Sequence, residues 1–240
     1  MPASEPDISV IVMAFDEAQT LPEVVEDLRG VLGSLGAPDS PGSPGRLYEI
    51  IIVDDGSSDG TSQVADRLAG QAPEVSVIHH EANLGLGGVY RTGFSVARGT
   101  YLTFFPADGQ FPAAIVEQFL PLMADHDLVM GYLSERPSTF TAKVLSWVER
   151  VLYKVMFRSF PQFQGIFMVR RALLEKIDLC SSGRGWGIVM ELVLKTTRGD
   201  YRTVSVPTEI RPRTTGRSKV RNPSTIWANL KQLLTIRRYL

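Results

Sequence analysis

The residues best suited to chemistry in this 240-residue chain follow a short apolar run near its middle. The run from Tyr101 to Phe105 is aromatic and uncharged, which is typical of a strand buried on both faces. It stops at Pro106, and Asp108 and Gln110 follow at once. Side chains delivered directly after a buried parallel strand lie at the carboxyl edge of a sheet, where open α/β folds bind ligands. The oxygens of Asp108 and Gln110 suit Mg²⁺ or Mn²⁺; the alternative is a turn in which Asp108 caps a helix.

Two adjacent carboxylates, Asp54 and Asp55, follow the predicted second strand, Glu49 to Val53. Carboxylates this close repel one another unless hydrogen-bond donors or a cation occupy them. Donors on a base or a ribose would do so, while the Ser, Gly and Asp residues that follow are also typical of turn and capping chemistry. The pair therefore predicts either a nucleoside contact or a capped turn.

A glycine-rich turn follows a third apolar run, Val75 to Ile78. It reads Asn83-Leu-Gly85-Leu-Gly-Gly and opens a predicted helix. Glycines at the start of a helix let a phosphate approach the backbone amides, but they serve tight turning and close packing equally well. The preceding pair, His79 and His80, has no third ligand at metal-binding spacing, so we interpret it as polar residues at a strand end.

Strands and helices alternate from Ile8 to about Ala124, which predicts a parallel sheet with helices on both faces. The first strand, Ile8 to Ala14, ends shortly before an acidic residue, as the second and fourth strands do. Because β-α-β crossovers bring the carboxyl ends of parallel strands to one edge, we expect four acidic side chains to cluster there: Glu17, Asp54, Asp55 and Asp108. The second half predicts strands over 127–131, 164–169 and 201–206, and helices over 112–124, 139–158 and 188–197.

The composition is 44% hydrophobic and 21% charged with one cysteine, which suits a globular chain without a disulfide framework. No run of about 18 apolar residues predicts a membrane span. Residues 1–7 lack the pattern of a signal peptide, so we expect a cytoplasmic location.

The net charge of −1 is unevenly spread: from Arg211 onward there are eight Lys or Arg and no acid. This basic tail predicts an anionic partner, namely a phosphate-bearing ligand, an acidic membrane surface or nucleic acid.

Two segments predict basic amphipathic helices, 139–158 and 222–240. In the second, Trp227 and several leucines share one face, and Lys231 and two arginines lie elsewhere. Such helices suit an anionic membrane surface, although a helix packed on the core with a solvated basic edge has the same pattern. We expect peripheral membrane contact at the cytoplasmic face and consider a homodimer through the apolar faces. A nucleic-acid partner is not expected, because no recognised nucleic-acid motif accompanies the basic tail.

An ordered set of motifs resembles the family 2 glycosyltransferases. The N-terminal motifs read Ser-Val-Ile-Val-Met-Ala-Phe-Asp-Glu (9–17), Ile-Val-Asp-Asp-Gly-Ser-Ser-Asp-Gly-Thr (52–61), Asn-Leu-Gly-Leu-Gly (83–87) and Ala-Asp-Gly-Gln-Phe (107–111). Within this family the chain is most similar to the polyprenyl-phosphate branch, which includes the dolichyl-phosphate mannose synthases. The later matches are Gly131-Tyr132, Gly165 to Arg170, Glu191, and Arg213 to Lys219.

The resemblance implies the nucleotide-diphospho-sugar transferase fold, an α/β single domain with a Rossmann-like N-terminal half and a mixed central sheet. It implies a catalytic domain over residues 1–221, followed by the basic helix at 222–240. Within that domain, the nucleotide-binding half covers about 8–110 and the acceptor half about 111–221.

The resemblance also implies roles for individual residues. The divalent metal, Mg²⁺ or Mn²⁺, would be held on the donor diphosphate by Asp108 and Gln110. The nucleoside would be held by Glu17 and Asp54, with Asp55 in support. Further substrate-binding candidates are Asn83, Gly85, Arg136, Arg170 and Ser218. The catalytic candidates are Asp108, Arg213, Lys219 and Glu191.

The implied activity is inverting transfer of a sugar from GDP-mannose or a UDP-hexose to polyprenyl phosphate. The second pKa of a phosphomonoester is about 6, so such an acceptor is a nucleophile at neutral pH without a strong base. An alternative is a hydroxyl acceptor, whose proton a carboxylate would have to take, with Glu191 as the candidate base. A second alternative is a catalytically silent sugar-nucleotide-binding homologue, because Pro106 stands where the family has the first acid of an Asp-x-Asp motif.

Overall fold

A computed structural model describes residues 5–36, 47–133 and 161–212. In this part of the chain the strands are β1 (Ile8–Ala14), β2 (Tyr48–Asp54), β3 (Val75–His79), β4 (Tyr101–Pro106), β5 (Leu128–Leu133), β6 (Phe167–Arg170) and β7 (Thr203–Thr208). The α-helices are α1 (Leu21–Gly36), α2 (Thr61–Gln71), α3 (Gly85–Val96), α4 (Ile115–Phe119), α5 (Arg171–Leu174) and α6 (Gly187–Arg198). A 3-10 helix, Leu120–Ala124, follows α4 directly.

The strands form one mixed sheet in the order β3-β2-β1-β4-β6-β5-β7. Strands β1 to β4 are parallel to one another, as their alternation with helices predicts. Strand β6 runs antiparallel to both β4 and β5, and β7 is parallel to β5. The sheet is therefore Rossmann-like in its first half and mixed in its second half.

The register brings the ends of four strands to one level. Ala14 of β1 pairs with Asp54 of β2, Met13 pairs with Pro106 of β4, and Asp54 pairs with His79 of β3. The loops that follow these strands leave the sheet side by side. This carboxyl edge is where the sequence places its candidate residues.

Two apolar layers cover the faces of the sheet. Val10 and Val12 of β1 point into the layer with α1, α2 and α4, while the intervening Ile11 points into the layer with α3 and α6. Strands buried on both faces need apolar residues at every position, which explains their continuous apolar runs. In the second layer the rings of Tyr90 and Phe104 lie 4.6 Å apart, and burial raises the pKa of the Tyr90 phenol.

Some element boundaries differ from those predicted. The strand expected from residue 164 begins at Phe167, because Gly165 has a φ of +91°, a left-handed conformation that does not continue a strand. The helix expected from residue 112 begins at Ile115 and changes to a 3-10 helix at Leu120, beside Pro121, which has no N–H for an α-helical bond. The last strand begins at Thr203 and not at residue 201.

The two basic amphipathic helices expected over 139–158 and 222–240 lie outside the described residues. Within the described ranges, no helix is both long enough and apolar enough to cross a bilayer.

Candidate active site

Asp54, the last residue of β2, is 1% exposed. Its carboxylate accepts hydrogen bonds from the N–H of Ser57 at 3.1 Å and the hydroxyl of Ser62 at 2.5 Å, and Nδ1 of His79 lies 2.9 Å away. Burial raises the pKa of Asp54, but the hydrogen bonds from Ser57, Ser62 and His79 outweigh burial and hold the pKa below the usual range of an aspartate. The carboxylate is charged at neutral pH and fixes the turn between β2 and α2.

Asp55 is held by the start of α3. Its Oδ1 accepts the N–H of Leu84 at 2.7 Å and lies 2.7 Å from Nδ1 of His80, and its Oδ2 accepts the N–H of Gly85 at 2.8 Å. Nε2 of His80 lies 2.8 Å from the hydroxyl of Thr92 in the body of α3. Since the carboxylate only accepts, Nδ1 of His80 donates to Asp55, and in the neutral ring Nε2 accepts from Thr92. Asp55 therefore supports the glycine-rich turn.

The loop after β1 is bonded to the loop after β2. Asp16 has a φ of 52°, a left-handed conformation that aspartate tolerates, and its carboxylate accepts the N–H of Ser58 at 2.8 Å. The N–H of Glu17 donates to the hydroxyl of Thr61 at 2.9 Å, and the Glu17 carboxylate accepts the hydroxyl of Thr20 at 3.1 Å. These bonds keep Glu17 beside the Asp54 turn, at the edge where the sequence predicts it.

Asp108 and Gln110 form a tight turn beyond β4. The N–H of Gln110 donates to the carboxylate of Asp108 at 3.1 Å, and Gly109 between them has a φ of +71°. The N–H of Ala107 donates to the carbonyl oxygen of Met13 at 2.9 Å, which joins this turn to the end of β1. The sequence left a metal-binding turn and a helix cap open for Asp108, and the next helix begins only at residue 115.

The Asp108–Gln110 turn fits a hard divalent cation. Both side chains are partly exposed and carry oxygen donors. Among the described residues, no group of three or more His, Cys, Asp or Glu side chains is arranged to enclose an ion. Mg²⁺ in nucleotide sites is commonly bound by one or two carboxylates, water and substrate phosphates. The turn therefore suits an ion shared with a substrate.

Arg211 joins the Asp108–Gln110 turn to the basic end of the chain. Its N–H donates to the carbonyl oxygen of Gln110 at 2.7 Å, and its guanidinium lies 3.2 Å from the carboxylate of Asp27 on α1. A shallow, open cleft lies here, lined by Thr20, Glu23, Val24, Asp27, Leu28, Phe105, Gly109, Phe111, Ala113, Arg211 and Pro212. The segment for which the charge distribution predicts an anionic partner thus starts at the proposed metal turn.

The glycine-rich turn packs against the loop before α6. A Cβ on Gly85 would lie 2.5 Å from the carbonyl oxygen of Arg184, and one on Gly87 would overlap the carbonyl oxygens of Gly183 and Gly185. The N–H of Gly87 donates to the carbonyl oxygen of Arg184 at 2.9 Å. Of the two interpretations of this turn, phosphate approach and close packing, these contacts favour close packing.

Glu191 lies inside α6 with no exposed surface. Its carboxylate accepts the N–H groups of Cys180 at 3.0 Å and Ser181 at 2.8 Å, and Nζ of Lys195 lies 2.7 Å away. Burial raises the pKa of Glu191, but hydrogen bonds from Lys195, Ser181 and Cys180 outweigh burial and leave the pKa below the usual glutamate range. This geometry differs from that of a catalytic base, which needs a lone pair within reach of the substrate. Glu191 instead anchors the loop before α6.

Two arginines that were not among the predicted site residues, Arg91 and Arg184, make hydrogen bonds that hold the loop before α6. The guanidinium of Arg91 on α3 donates to the carbonyl oxygens of Ser181 at 3.4 Å and Gly183 at 3.2 Å. The guanidinium of Arg184 donates to the side-chain oxygen of Asn83 at 2.5 Å. The signal available in the sequence was the arginine between Gly183 and Gly185, a basic residue on a turn that requires close backbone approach.

Arg170 is not at this edge. It ends the antiparallel strand β6 and pairs with Tyr101 at the start of β4. Its guanidinium donates to the carbonyl oxygen of Met123 at 2.6 Å and lies 5.2 Å from the ring centre of Tyr101. The reversed direction of β6 therefore places this expected substrate contact at the amino edge of the sheet. The other basic or polar candidates, Arg136, Arg213, Ser218 and Lys219, lie outside the described residues.

The sequence carries a family signature that agrees with this geometry. Residues 9–178 match the family model described as Glycosyl transferase family 2. The chain belongs to glycosyltransferase family 2. The match covers the loops of Glu17, Asp54 and Asp108, and the expectation that the chain is a glycosyltransferase is confirmed.

The chain also resembles characterised members of family 2. It is 28% identical over 226 residues to the undecaprenyl-phosphate mannosyltransferase of Micrococcus luteus, covering 89% of this chain and 87% of that relative. It is 29% identical over 227 residues to the polyprenol monophosphomannose synthase of Mycolicibacterium smegmatis, covering 88% and 80%. The resemblance to the polyprenyl-phosphate branch is confirmed by these relatives.

Solved structures confirm the fold of this family 2 glycosyltransferase. The glucosyl-3-phosphoglycerate synthase of Mycobacterium tuberculosis, in complex with Mn²⁺, uridine diphosphate and phosphoglyceric acid, superposes with a TM-score of 0.72 at 18% identity. That superposition covers 98% of this chain and 79% of the synthase. The same synthase with Mg²⁺ and uridine diphosphate gives a TM-score of 0.70 at 19% identity, covering 98% and 80%. The nucleotide-sugar transferase fold expected from the sequence is therefore correct.

Proposed function

We propose that this family 2 glycosyltransferase transfers a sugar from GDP-mannose or a UDP-hexose to polyprenyl phosphate, with inversion at the anomeric carbon. The observation that carries the proposal is the turn of Asp108 and Gln110, bonded through Gln110 to Arg211 at the start of the basic segment. An oxygen-rich turn next to the cationic side chain of Arg211 suits a metal-bridged diphosphate and an anionic acceptor. The relatives named for mannosyl transfer to undecaprenyl phosphate and polyprenol support this acceptor class.

The donor is proposed to lie along the loops after β1, β2 and β4. Glu17 contacts the nucleoside. Asp54, which was expected to hold the nucleoside directly, is 1% exposed and bonded to Ser57, Ser62 and His79, so in this proposal it and Asp55 act by keeping the surrounding turns in place. Asp108 and Gln110 would hold Mg²⁺ or Mn²⁺, which neutralises charge on the departing diphosphate when bound. A structural neighbour of the same fold was crystallised with Mn²⁺ and uridine diphosphate, which supports a divalent metal and a nucleotide diphosphate as ligands.

The acceptor is proposed to be a phosphate and not a hydroxyl. One oxygen of the phosphate forms a bond to the anomeric carbon as the bond to the nucleotide diphosphate breaks, and no proton has to be removed. A hydroxyl acceptor would need a base, and the candidate Glu191 is buried against two amides and Lys195. Arg213, Ser218 and Lys219, which follow Arg211 in the chain, are proposed to bind donor or acceptor phosphates.

A lipid acceptor implies contact with a membrane. We propose peripheral binding at the cytoplasmic face through the basic segments at 139–158 and 222–240; a homodimer through their apolar faces stays a prediction. Removing residues 227–240 should release the protein from anionic liposomes in a sedimentation assay. The same protein should bind neutral liposomes weakly with or without this segment. Equal sedimentation of both proteins on anionic liposomes would contradict the proposal.

A turnover assay tests the reaction. Purified protein is mixed with a short polyprenyl phosphate, Mg²⁺ or Mn²⁺, and a set of GDP- and UDP-sugars, and both released nucleotide and glycolipid are measured. Asp108→Asn, which keeps the shape and removes the charge, should lower kcat by about 100-fold or more, because it weakens charge stabilisation of the leaving group. The matched control is Asp200→Asn, an exposed carboxylate after α6. Lipid-independent release, or equal activity of both variants, would overturn the proposal.

Glu191→Gln distinguishes the two acceptor classes. If Glu191 anchors the loop before α6, the variant should unfold at a lower temperature yet keep the shape of the kcat–pH profile. If it acts as a base on a hydroxyl acceptor, kcat should fall by about 100-fold or more and the acidic limb of the profile should disappear. The anchoring result is expected, because all of the contacts recorded for the carboxylate are to protein donors.

A further inference from the structure

The backbone of Arg184 is held on several sides. Its carbonyl oxygen accepts the N–H of Gly87, and the guanidinium of Arg91 binds the carbonyl oxygen of the preceding Gly183. Further back in the same loop, the buried carboxylate of Glu191 accepts the N–H of Ser181. Backbone contacts fix the direction of the Cα–Cβ bond, and the hydrogen bond to Asn83 positions the guanidinium. The loop therefore presents Arg184 at a fixed place beside the start of α3.

The guanidinium of Arg184 is exposed and has only a neutral partner among the described residues, the side-chain oxygen of Asn83. The two other arginines near this edge are engaged differently. Arg91 donates to backbone carbonyl oxygens, and Arg211 pairs with the carboxylate of Asp27. An arginine has five N–H donors in a planar fork, so most donors of Arg184 remain available for a ligand.

The surroundings of Arg184 favour an anion. Helices α3 and α6 begin on either side of it, and neither carries an acidic residue in its first turn. The N-terminus of a helix bears a partial positive charge. The two carboxylates bonded to these loops are Asp55, which is 3% exposed and bonded to α3 and His80, and the fully buried Glu191, which is paired with Lys195. Hydrogen-bond donors of neighbouring residues therefore occupy both carboxylates.

We propose that Arg184 binds a phosphate group of a substrate, together with the amide of Asn83. Both residues lie at the carboxyl edge of the sheet, since Asn83 follows the end of β3, directly precedes Leu84 and Gly85, whose N–H groups Asp55 accepts, and accepts the guanidinium of Arg184. The phosphate comes from the donor diphosphate or from the acceptor. This inference rests on the proposed function and adds a phosphate-binding residue to that reaction.

The test compares Arg184→Gln with Arg184→Lys. Glutamine keeps the Cβ and an N–H donor for Asn83 but removes the charge, whereas lysine keeps the charge. Arg202→Gln is the matched control, because Arg202 is exposed and precedes β7 at the opposite edge. Calorimetry measures binding of GDP and UDP with Mn²⁺ and, separately, of a short polyprenyl phosphate in detergent. Thermal unfolding is followed for every variant.

Arg184→Gln should weaken binding of one ligand by about tenfold, the usual effect of losing a charge-assisted hydrogen bond. Arg184→Lys should keep most of the affinity, and the unfolding temperature should not change. Weaker nucleotide binding identifies the donor diphosphate, and weaker lipid-phosphate binding identifies the acceptor. Wild-type affinity of Arg184→Gln for both ligands would overturn the inference. Equal losses of affinity in Arg184→Gln and Arg184→Lys, together with a lower unfolding temperature, would also overturn the inference, because they indicate a structural role.

The binding measurements do not require turnover. A wild-type protein that binds nucleotide but transfers no sugar to the lipid would contradict the proposed function. The role of Arg184 in nucleotide binding would still be decided by the Gln and Lys variants.

Discussion

Nδ1 of His80 lies 2.7 Å from Oδ1 of Asp55, and the two side chains are 8% and 5% exposed. Through Thr92 on one side and the N–H groups at the start of α3 on the other, this pair connects the end of β2 to α3. The neighbouring His79 makes the equivalent contact with Asp54. Histidines that the sequence identified only as polar strand-end residues thus hold both carboxylates at the end of β2.

His80→Ala should lower the free energy of unfolding by about 1–3 kcal/mol, because it removes one of the two donors to Oδ1 of the buried Asp55 carboxylate and also the ring contact of the Thr92 hydroxyl. Urea unfolding measures the loss. Thr92→Val should cost less, and the double variant should cost less than the sum of the two single variants, because both remove parts of one network. Additivity within about 0.5 kcal/mol would show that His80 and Thr92 are not coupled.

The pair of His79 and Asp54 should make stability depend on pH. Hydrogen bonds to Asp54 and Asp66 raise the pKa of His79, so its contribution is full below the unfolded pKa of about 6.5 and is lost as pH rises through the folded pKa. The depressed pKa of Asp54 gives a contribution that is present above about 3.9 and lost as pH falls through the folded pKa. Stabilisation by the pair should therefore be greatest between these limits.

Urea unfolding of wild type and His79→Gln across this pH range measures that contribution. The difference should be largest near pH 5–6 and should shrink with added salt, because the His79 side chain is 37% exposed. The control is His126→Gln, whose ring contacts the carbonyl oxygen of Leu122. If the difference in unfolding free energy between wild type and His79→Gln did not change with pH, the contact between His79 and Asp54 would not be ionic.

Gly87→Ala should separate the glycine-rich turn from the loop before α6. Its Cβ would meet the carbonyl oxygens of Gly183 and Gly185, so a backbone shift is required and stability should fall by about 1–3 kcal/mol. Gly30→Ala on α1 is the matched control: a Cβ there meets nothing within 4 Å, and the change should stabilise the helix by about 0.5–1 kcal/mol. Calorimetric unfolding measures both. Equal stability of Gly87→Ala and wild type would contradict the close packing described here.

Pro106→Asp should strengthen metal binding. Pro106 is the last residue of β4 and pairs with Met13, two positions before Asp108. An added carboxylate there should raise the affinity for Mn²⁺ by about tenfold, equal to about 1.4 kcal/mol of added attraction. Titration of Mn²⁺ in the presence of GDP or UDP measures the change. Pro73→Asp, an exposed position before β3, adds the same charge away from the site and should have no effect.

The sequence by itself determined the strands of the N-terminal half and the edge at which they end. Continuous apolar runs specify strands buried on both faces, and the alternation with helices specifies their parallel direction. The positions of Glu17, Asp54 and Asp108 at one edge follow from those local features. The family signature added the reaction class, because its motifs occur in order along the chain.

Only the tertiary structure decided which candidate groups are engaged and which are exposed. The antiparallel direction of β6 moved Arg170 to the amino edge, and the packing of α6 buried Glu191. The contact of Arg184 with Asn83 joins residues 101 positions apart. A local pattern records periodicity and turn chemistry, whereas these partners depend on how distant helices and loops pack. That packing decides that the carboxylate of Glu191 is buried and paired, and that the guanidinium of Arg184 is exposed with N–H donors available for a ligand.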